Sequence, residues 1–409
     1  MRAAFFLYLW SDNPRQMNIN KLKLFFKGRI GLLPKIEAAC RDASDIIWFH
    51  VASFGEFEEA RPVIEATRTR FPDRKILLTV FSPSVYEPMK HYDKVDWVFY
   101  LPLDTPWNAR RFLDAVHPSK AVFNIGEHWP FLLNALRKRG AETYIMSVRM
   151  EPDSPYLKWY GRLQRQILCN CYRCVMVQNE ESRRLLKGMG VPEVKVVGDA
   201  RVDRVVTVCR QKWSDPFVDV WCDGLKVFVA GSTYPAEDRM LVELANTHPE
   251  VKMLIIPHEL DPAEVNDILA KAKNGAVRYT DYVGKKADEA LLGAQILVVD
   301  TVGMLSKLYR YGFAAYVGGG FTGPMPHSVI EPAAYGIPVA FGPRFDRELH
   351  CKDLYAIEAG FPVTNQQELD FFFEKSVGDR AFLERTGRAA ADYCRRSSGA
   401  TSTIMDIIF

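Results

Sequence analysis

The residues of this chain best placed to do chemistry stand where an apolar run ends and a helix-period stretch begins. The run Trp48-Phe49-His50-Val51-Ala52 closes on Ser53-Phe54-Gly55-Glu56. Gly55 permits a tight turn, and Glu56 falls in the first turn of the next helix, where the dipole favours an ionised carboxylate. A carboxylate held ionised over a strand end suits general-base work. It can equally cap its own helix with Glu58 and Glu59 beside it, and spacing alone does not separate the two roles. A second junction, Gly231-Ser232-Thr233 before Pro235, offers backbone amides and two hydroxyls to a phosphate, or an ordinary N-cap. A third is Asp300-Thr301-Val302-Gly303-Met304. The fourth runs from Val317 through Gly318-Gly319-Gly320 to Ser328 and Glu331. A carboxylate at Glu331 can accept two ribose hydroxyls while the helix start faces a phosphate; the Ser328…Glu331 spacing also fits a capping box on a flexible loop.

These junctions need a scaffold that brings strand ends together. Short apolar runs at Ile46–Ala52, Lys75–Val80, Trp97–Leu101, Lys120–Ile125, Glu142–Ser147, Cys174–Gln178 and Val194–Val197 read as buried strands. Between them, Phe57–Arg70, Pro106–Val116 and Glu180–Lys187 read as surface helices. A charged, small-residue stretch, Gly198–Asp215, interrupts the pattern, and the hinge is expected near Gly198–Val206. Alternation resumes at Leu225–Ala230, Val251–Ile256, Gln295–Val299, Ala314–Val317 and Pro338–Phe341, and the chain ends with a helix at Asp379–Arg395 and an apolar tail, Ile404–Phe409. Alternating strands and helices imply parallel sheets covered on both faces. At 409 residues the chain fits two domains. The expected architecture is α/β, with two doubly wound domains facing across a cleft and ligands beyond the carboxyl ends of the strands.

A 48% hydrophobic, 25% charged composition excludes a disordered or fibrous chain, and a net charge of +3 is too small to argue for nucleic-acid binding. Eight cysteines are far too few for a disulfide scaffold. Cys169, Cys171 and Cys174 include a C-x-x-C, but no second ligand cluster follows; they read as reduced thiols, with a structural zinc the lesser alternative. The apolar run Ala3–Trp10 is eight residues, well short of the roughly 20 that span a bilayer. From Lys21 to Lys35, Lys and Arg alternate with Leu, Phe and Ile without one acidic residue. That pattern suits a segment lying on an anionic membrane surface, or a solvated helix packing its apolar side on the protein.

The run Ile47–Glu56 followed by Ala60-Arg61-Pro62 resembles the opening of the 3-deoxy-D-manno-octulosonic acid (Kdo) transferases. The likeness continues through Leu101-Pro102-Leu103-Asp104-Thr105-Pro106-Trp107, Glu127-His128-Trp129-Pro130, Gly231-Ser232-Thr233, Asp300-Thr301-Val302-Gly303 and Ile330–Gly336. It covers nearly the whole chain from Lys21, in order. It implies a GT-B fold of two Rossmann-like domains: a membrane-proximal segment over residues 1–40, an acceptor domain over 41–204 and a CMP-Kdo domain over 205–409. It further implies an enzyme that moves Kdo from CMP-Kdo to the primary hydroxyl of a lipid A precursor, with inversion, on the cytoplasmic face of the inner membrane. By the same resemblance Glu56 is the catalytic base, and Ser53, Gly55, Arg61, Glu127 and Arg149 attend the acceptor. Gly231, Ser232, Thr233, Pro257, His258, Val302, Gly303, Met304 and Ser328 attend CMP, with Glu331 on the ribose.

The chain departs from the family at three places. Ser328 stands where asparagine is common, His258 where arginine usually follows the proline, and Met304 where a glutamate is common. No Asp-x-Asp motif sits at a strand end, so neither a metal nor another cofactor is expected. A nucleotide-sugar 2-epimerase using UDP, another GT-B sugar transferase, or a non-catalytic sugar-nucleotide binder are the competing readings; nucleotide choice and turnover separate them.

Overall fold

The computed structural model describes residues 19–126, 128–286, 288–321 and 325–409. The run Ala3–Trp10 and the acceptor candidate Glu127 lie outside the described residues. Two seven-stranded sheets, both wholly parallel, carry the fold. The first contains β1 (Ile46–Val51), β2 (Ile76–Val80), β3 (Trp97–Tyr100), β4 (Pro118–Asn124), β5 (Glu142–Val148), β6 (Cys174–Val177) and β7 (Val194–Val196) in the order β3-β2-β1-β4-β5-β6-β7. The second contains β8 (Val227–Thr233), β9 (Met253–Pro257), β10 (Ala276–Arg278), β11 (Ile296–Val298), β12 (Gly312–Val317), β13 (Val339–Phe341) and β14 (Gly360–Pro362) in the order β10-β11-β9-β8-β12-β13-β14.

The central strands are apolar throughout because helices cover both faces; every residue of β1, β2 and β12 is buried. Helix starts follow from local chemistry. Ser53, Thr105, Asn179 and Asp261 accept backbone N–H groups as N-caps, and Pro106, Pro235 and Pro262 occupy first-turn positions where their missing N–H costs nothing.

The chain divides into two compact units, one running through Asp203 and including Ser398–Phe409, the other Arg204–Ser397. Three expectations are corrected. Gly198–Asp215 is not a break in regular structure: Ala200–Arg210 is a helix, and the division between the units falls inside it. The last twelve residues, expected in the second domain, pack in the first unit. There the helix Ala400–Ile408 buries Ala400, Ile404, Met405 and Ile408 in the first core, and the Phe409 ring lies 4.7 Å from Phe71. Asp203 accepts the Gly399 and Thr401 amides at 2.5 and 2.6 Å, capping that helix from a distant position in sequence. Finally, β10 and β14 lack a strand signal because both are three-residue edge strands, one half-exposed and one containing glycine and proline.

The helix Ile19–Lys27 docks by burying Phe25 against Ala52 and Phe81. Arg29, just beyond it, donates to the Leu101, Phe25 and Phe81 carbonyls at 3.0–3.1 Å, and its guanidinium lies 3.7 Å from the Phe25 ring centre. No described helix is long and apolar enough to cross a membrane.

Removing the buried Ile404 side chain leaves a cavity in the first core. Ile404→Ala therefore lowers the stability of the first unit by about 2–5 kcal/mol. Denaturant unfolding followed through fluorescence of the first unit's tryptophans checks this; an unmoved midpoint contradicts the packing described.

Candidate active site

In an open parallel sheet the chain winds outward in both directions from one strand, and the helices diverge there to leave a crevice at the carboxyl edge. In the first sheet that point lies between β1 and β4, which are neighbours. β1 leads into Ser53-Phe54-Gly55-Glu56, and β4 ends at Asn124, followed by Ile125 with φ +56°. A β-branched residue in the left-handed region is strained, and strain of this kind gathers at functional turns.

The turn is held by two local hydrogen bonds. The Glu56 amide donates to Ser53 Oγ at 3.4 Å, and the Ala52 amide donates to Glu56 Oε2 at 2.7 Å. Ser53 is thus the cap of the helix Phe54–Arg70, and the Ala52 amide just ahead of it fixes the Glu56 carboxylate at the carboxyl end of β1. Asn124 Nδ2 donates to the Glu56 carbonyl at 3.0 Å and to Glu59 Oε2 at 3.2 Å, so the end of β4 clamps the first turn. Gly55 is not there for a tight turn. It has no positive φ, and a Cβ on it would meet only Ser53 Oγ at 4.0 Å, so glycine leaves open space beside the turn.

Beneath this turn lies a buried acid cluster that spacing did not single out. Glu59 faces Arg201 at 3.5 Å, and Arg201 pairs with the buried Asp199 at 2.7 Å. Burial pushes the Glu59 carboxyl well above the usual range, opposed by Arg201 and reinforced by Asp199. His50 stiffens the neighbouring strand. Trp129 Nε1 donates to His50 Nε2 at 3.1 Å, so His50 Nδ1 carries the proton and faces the Thr79 carbonyl at 3.1 Å. Burial lowers its pKa to about 3.

The second sheet reverses between β8 and β12. Here Gly231, Ser232 and Thr233 end β8, and Ser232 sits at φ +55°. The glycine run after β12 is tightly packed, not a loose loop. A Cβ on Gly318 would lie 2.0 Å from the Ser232 carbonyl oxygen, and one on Gly319, at φ +101°, 2.4 Å from that of Met325. Glu237 bridges the two turns, accepting the Tyr234 amide at 2.9 Å and the Gly319 amide at 2.8 Å. Burial pushes this carboxyl up to about 7, with the two amides acting against the rise. Pro257 ends β9, and the His258 amide donates to the Thr233 carbonyl at 2.9 Å.

The remaining candidates are placed unevenly. Arg149, at the end of β5, pairs with Glu151 at 2.7 Å. Arg61 lies two turns into its helix and pairs along it with Glu58 and Glu65 at 3.5 and 2.7 Å, away from the β1 turn. Val302 and Gly303 are exposed before Met304, and the Leu305–Tyr309 segment packs on Gly231. Ser328 and Glu331 form no capping box: the helix Ile330–Ala334 starts from Val329 without a side-chain cap. The Glu331 charge instead raises the Arg204 pKa against the lowering by burial. Among the described residues, no group of three or more His, Cys, Asp or Glu side chains is arranged to hold a metal.

Residues 25–204 match the family model for 3-deoxy-D-manno-octulosonic-acid transferase (Kdo transferase). A 3-deoxy-D-manno-octulosonic acid transferase of Aquifex aeolicus is 27% identical over 363 residues, covering 86% of this chain and 89% of its own. One of Haemophilus influenzae is 24% identical, covering 88% and 86%. Over most of its length the chain is similar to Kdo transferases, and the match to their family model lies in its first unit. Among solved structures, UDP-GlcNAc 2-epimerase of Neisseria meningitidis superposes with a TM-score of 0.62 at 14% identity, covering 88% of this chain and 98% of its own. MurG of Acinetobacter baumannii gives 0.56 at 13%, covering 89% and 99%. At such identities the likeness is one of fold, and that fold is GT-B.

The neutrality of His50 has a pH consequence. Its folded pKa of about 3 lies below the ordinary 6.5, so the stability it holds is complete above pH 6.5 and is lost as pH falls toward 3. The loss amounts to about 1.4 kcal/mol per pH unit across that window. Nitrogen-detected NMR of the imidazole is expected to show the neutral Nδ1–H form from pH 8 to pH 5; protonation by pH 5 contradicts it.

Proposed function

We propose that this chain is an inverting glycosyltransferase that moves Kdo from CMP-Kdo to the primary hydroxyl of a lipid A precursor in lipopolysaccharide biosynthesis. The observation that carries the reading is the Glu56 carboxylate, held by the Ala52 amide where the first sheet reverses, in a chain whose relatives are named Kdo transferases. The first unit takes the acceptor and the second takes CMP-Kdo.

The chemistry follows as a direct displacement. Glu56 accepts the proton of the acceptor hydroxyl while that oxygen forms its bond to the anomeric carbon of Kdo. The bond from that carbon to the phosphate oxygen breaks, and CMP leaves with the electron pair. One base suffices because no covalent sugar–enzyme intermediate forms. Backbone amides and hydroxyls at Gly231–Thr233 oppose the charge gathering on the phosphate, and Glu331 takes the ribose hydroxyls. Ser53 and Gly55 shape the space beside Glu56, and Arg149 supplies a cation to an acceptor phosphate or the Kdo carboxylate.

The acceptor is a lipid, and the N-terminal helix suits a protein that meets it at a surface. Phe25 and Arg29 dock the helix inward, leaving Lys23, Leu24, Phe26, Lys27 and Ile30 exposed. Cations interleaved with apolar side chains favour an anionic bilayer surface. We place the enzyme peripherally on the cytoplasmic face of the inner membrane on this ground.

The direct test supplies CMP-Kdo and a tetra-acylated lipid A precursor and weighs the product by mass spectrometry. A mass increase of one or more Kdo residues, with protection of the protein by CMP and not by UDP, is the expected result. Protection by UDP alone points to an epimerase-type site, and CMP binding without any transfer points to a non-catalytic binder. Glu331→Ala is expected to weaken CMP binding at least tenfold, the effect of losing a charge-assisted hydrogen bond; unchanged affinity by calorimetry removes Glu331 from the ribose. For the membrane assignment, Phe26→Glu combined with Lys27→Glu is expected to abolish co-sedimentation with phosphatidylglycerol vesicles while the wild type pellets. Equal pelleting of both overturns that assignment.

A further inference from the structure

Three aromatic side chains from separate elements meet where the second sheet reverses. Tyr234 follows β8, His258 follows β9, and His327 follows the glycine run after β12. The imidazoles of His258 and His327 are stacked, with centres 4.3 Å apart and planes inclined by 26°. The Tyr234 ring lies 5.1 Å from His258 and 5.8 Å from His327. Tyr234 Oη is 3.0 Å from His327 Nε2. His258 is exposed, and His327 and Tyr234 are half-buried, so the stack has an open edge.

Two imidazoles this close cannot both take a proton cheaply, because each added charge opposes the next. An anion against the open edge removes that opposition and draws a proton in. The Tyr234 hydroxyl serves either state: it donates to Nε2 of a neutral His327 and accepts from Nε2–H of a charged one. Where the family commonly uses a guanidinium, charged at every physiological pH, this chain has an imidazole whose charge must be acquired.

We propose that His258 and His327 form one proton-coupled anion site for the phosphate of the donor nucleotide. Binding is then written as neutral stack plus CMP dianion plus one proton, giving a singly protonated stack paired with the dianion. This rests on the reading that the second unit binds CMP, and it adds that the donor site takes up a proton from solution when it fills.

The charged groups carried by the same elements are Glu237 and Asp238 on the helix after β8, and Glu259, Asp261 and Glu264 in the segment after β9. Glu331 follows on the His327 side, and Arg344 donates to the Gly320 carbonyl at 3.2 Å. Burial raises the Glu237, Asp238 and Glu264 carboxyls, so these acids also titrate near neutrality. The test must therefore separate imidazoles from carboxyls.

Calorimetric titration with CMP on the full chain does so, between pH 8.5 and 6.5, above the second pKa of the phosphate near 6. Wild type is expected to bind at least tenfold more tightly at pH 6.5 than at 8.5. In buffers of different ionisation enthalpy it should show net proton uptake approaching one at pH 7.5. His258→Arg is expected to bind with pH-invariant affinity and no uptake, and His327→Asn to weaken binding and halve the uptake or more. Affinity of wild type constant within twofold overturns the proposal while leaving CMP binding intact. Uptake that persists undiminished when His258→Arg and His327→Asn are combined also overturns it, assigning the proton to the carboxyls. Absence of CMP binding at every pH overturns both this proposal and the reading it rests on.

Discussion

Parallel strands all present their carboxyl ends to one edge, and a sheet wound outward from its middle must open there. That constraint acts twice in this chain, between β1 and β4 and between β8 and β12. Backbone must leave each point in two directions within a few residues. The cost is visible as a left-handed Ile125 at one reversal and a left-handed Ser232 at the other. Glu56 stands at the first of those turns and Gly231–Thr233 at the second.

Each reversal is held by a carboxylate that binds backbone amides. Glu56 takes the Ala52 amide, and Glu237 takes the Tyr234 and Gly319 amides. The same device serves different ends. Glu56, only 8% exposed, is held against the carboxyl end of β1, where the acceptor hydroxyl is proposed to lie. Glu237 is buried beneath its turns and ties two distant loops into one surface. The Ala52 amide therefore fixes the carboxylate that is proposed as the base.

The central strands were legible because a strand buried on both faces reads as an unbroken apolar run, as in Ile46–Val51. The edges were not. Ala276–Arg278 and Gly360–Pro362 are too short and too polar or irregular to register. Ala200–Arg210 looks like an interruption in sequence because its charge and small residues hide a helix. Among site residues, Glu56 and the glycine turns follow from local pattern. Glu237 could have been suspected from Pro235 and Glu237 at a helix start, but its bond to Gly319 spans 82 positions and leaves no local trace. The Glu59–Arg201–Asp199 cluster and the stacking of His258 on His327 are likewise products of strand order, which spacing does not encode. Arg61 shows the converse: resemblance placed it at the acceptor, while its own helix supplies its partners.

The claim on which the functional account turns is that Glu56 accepts the acceptor's proton. Glutamine at this position keeps an oxygen for the Ala52 amide and removes the basicity. Transfer by Glu56→Gln, measured in single turnover with CMP-Kdo and a lipid A precursor alongside CMP affinity, tests it most directly. The account predicts transfer slower by about 10²–10⁴-fold with CMP affinity unchanged within twofold. Transfer within tenfold of wild type contradicts it.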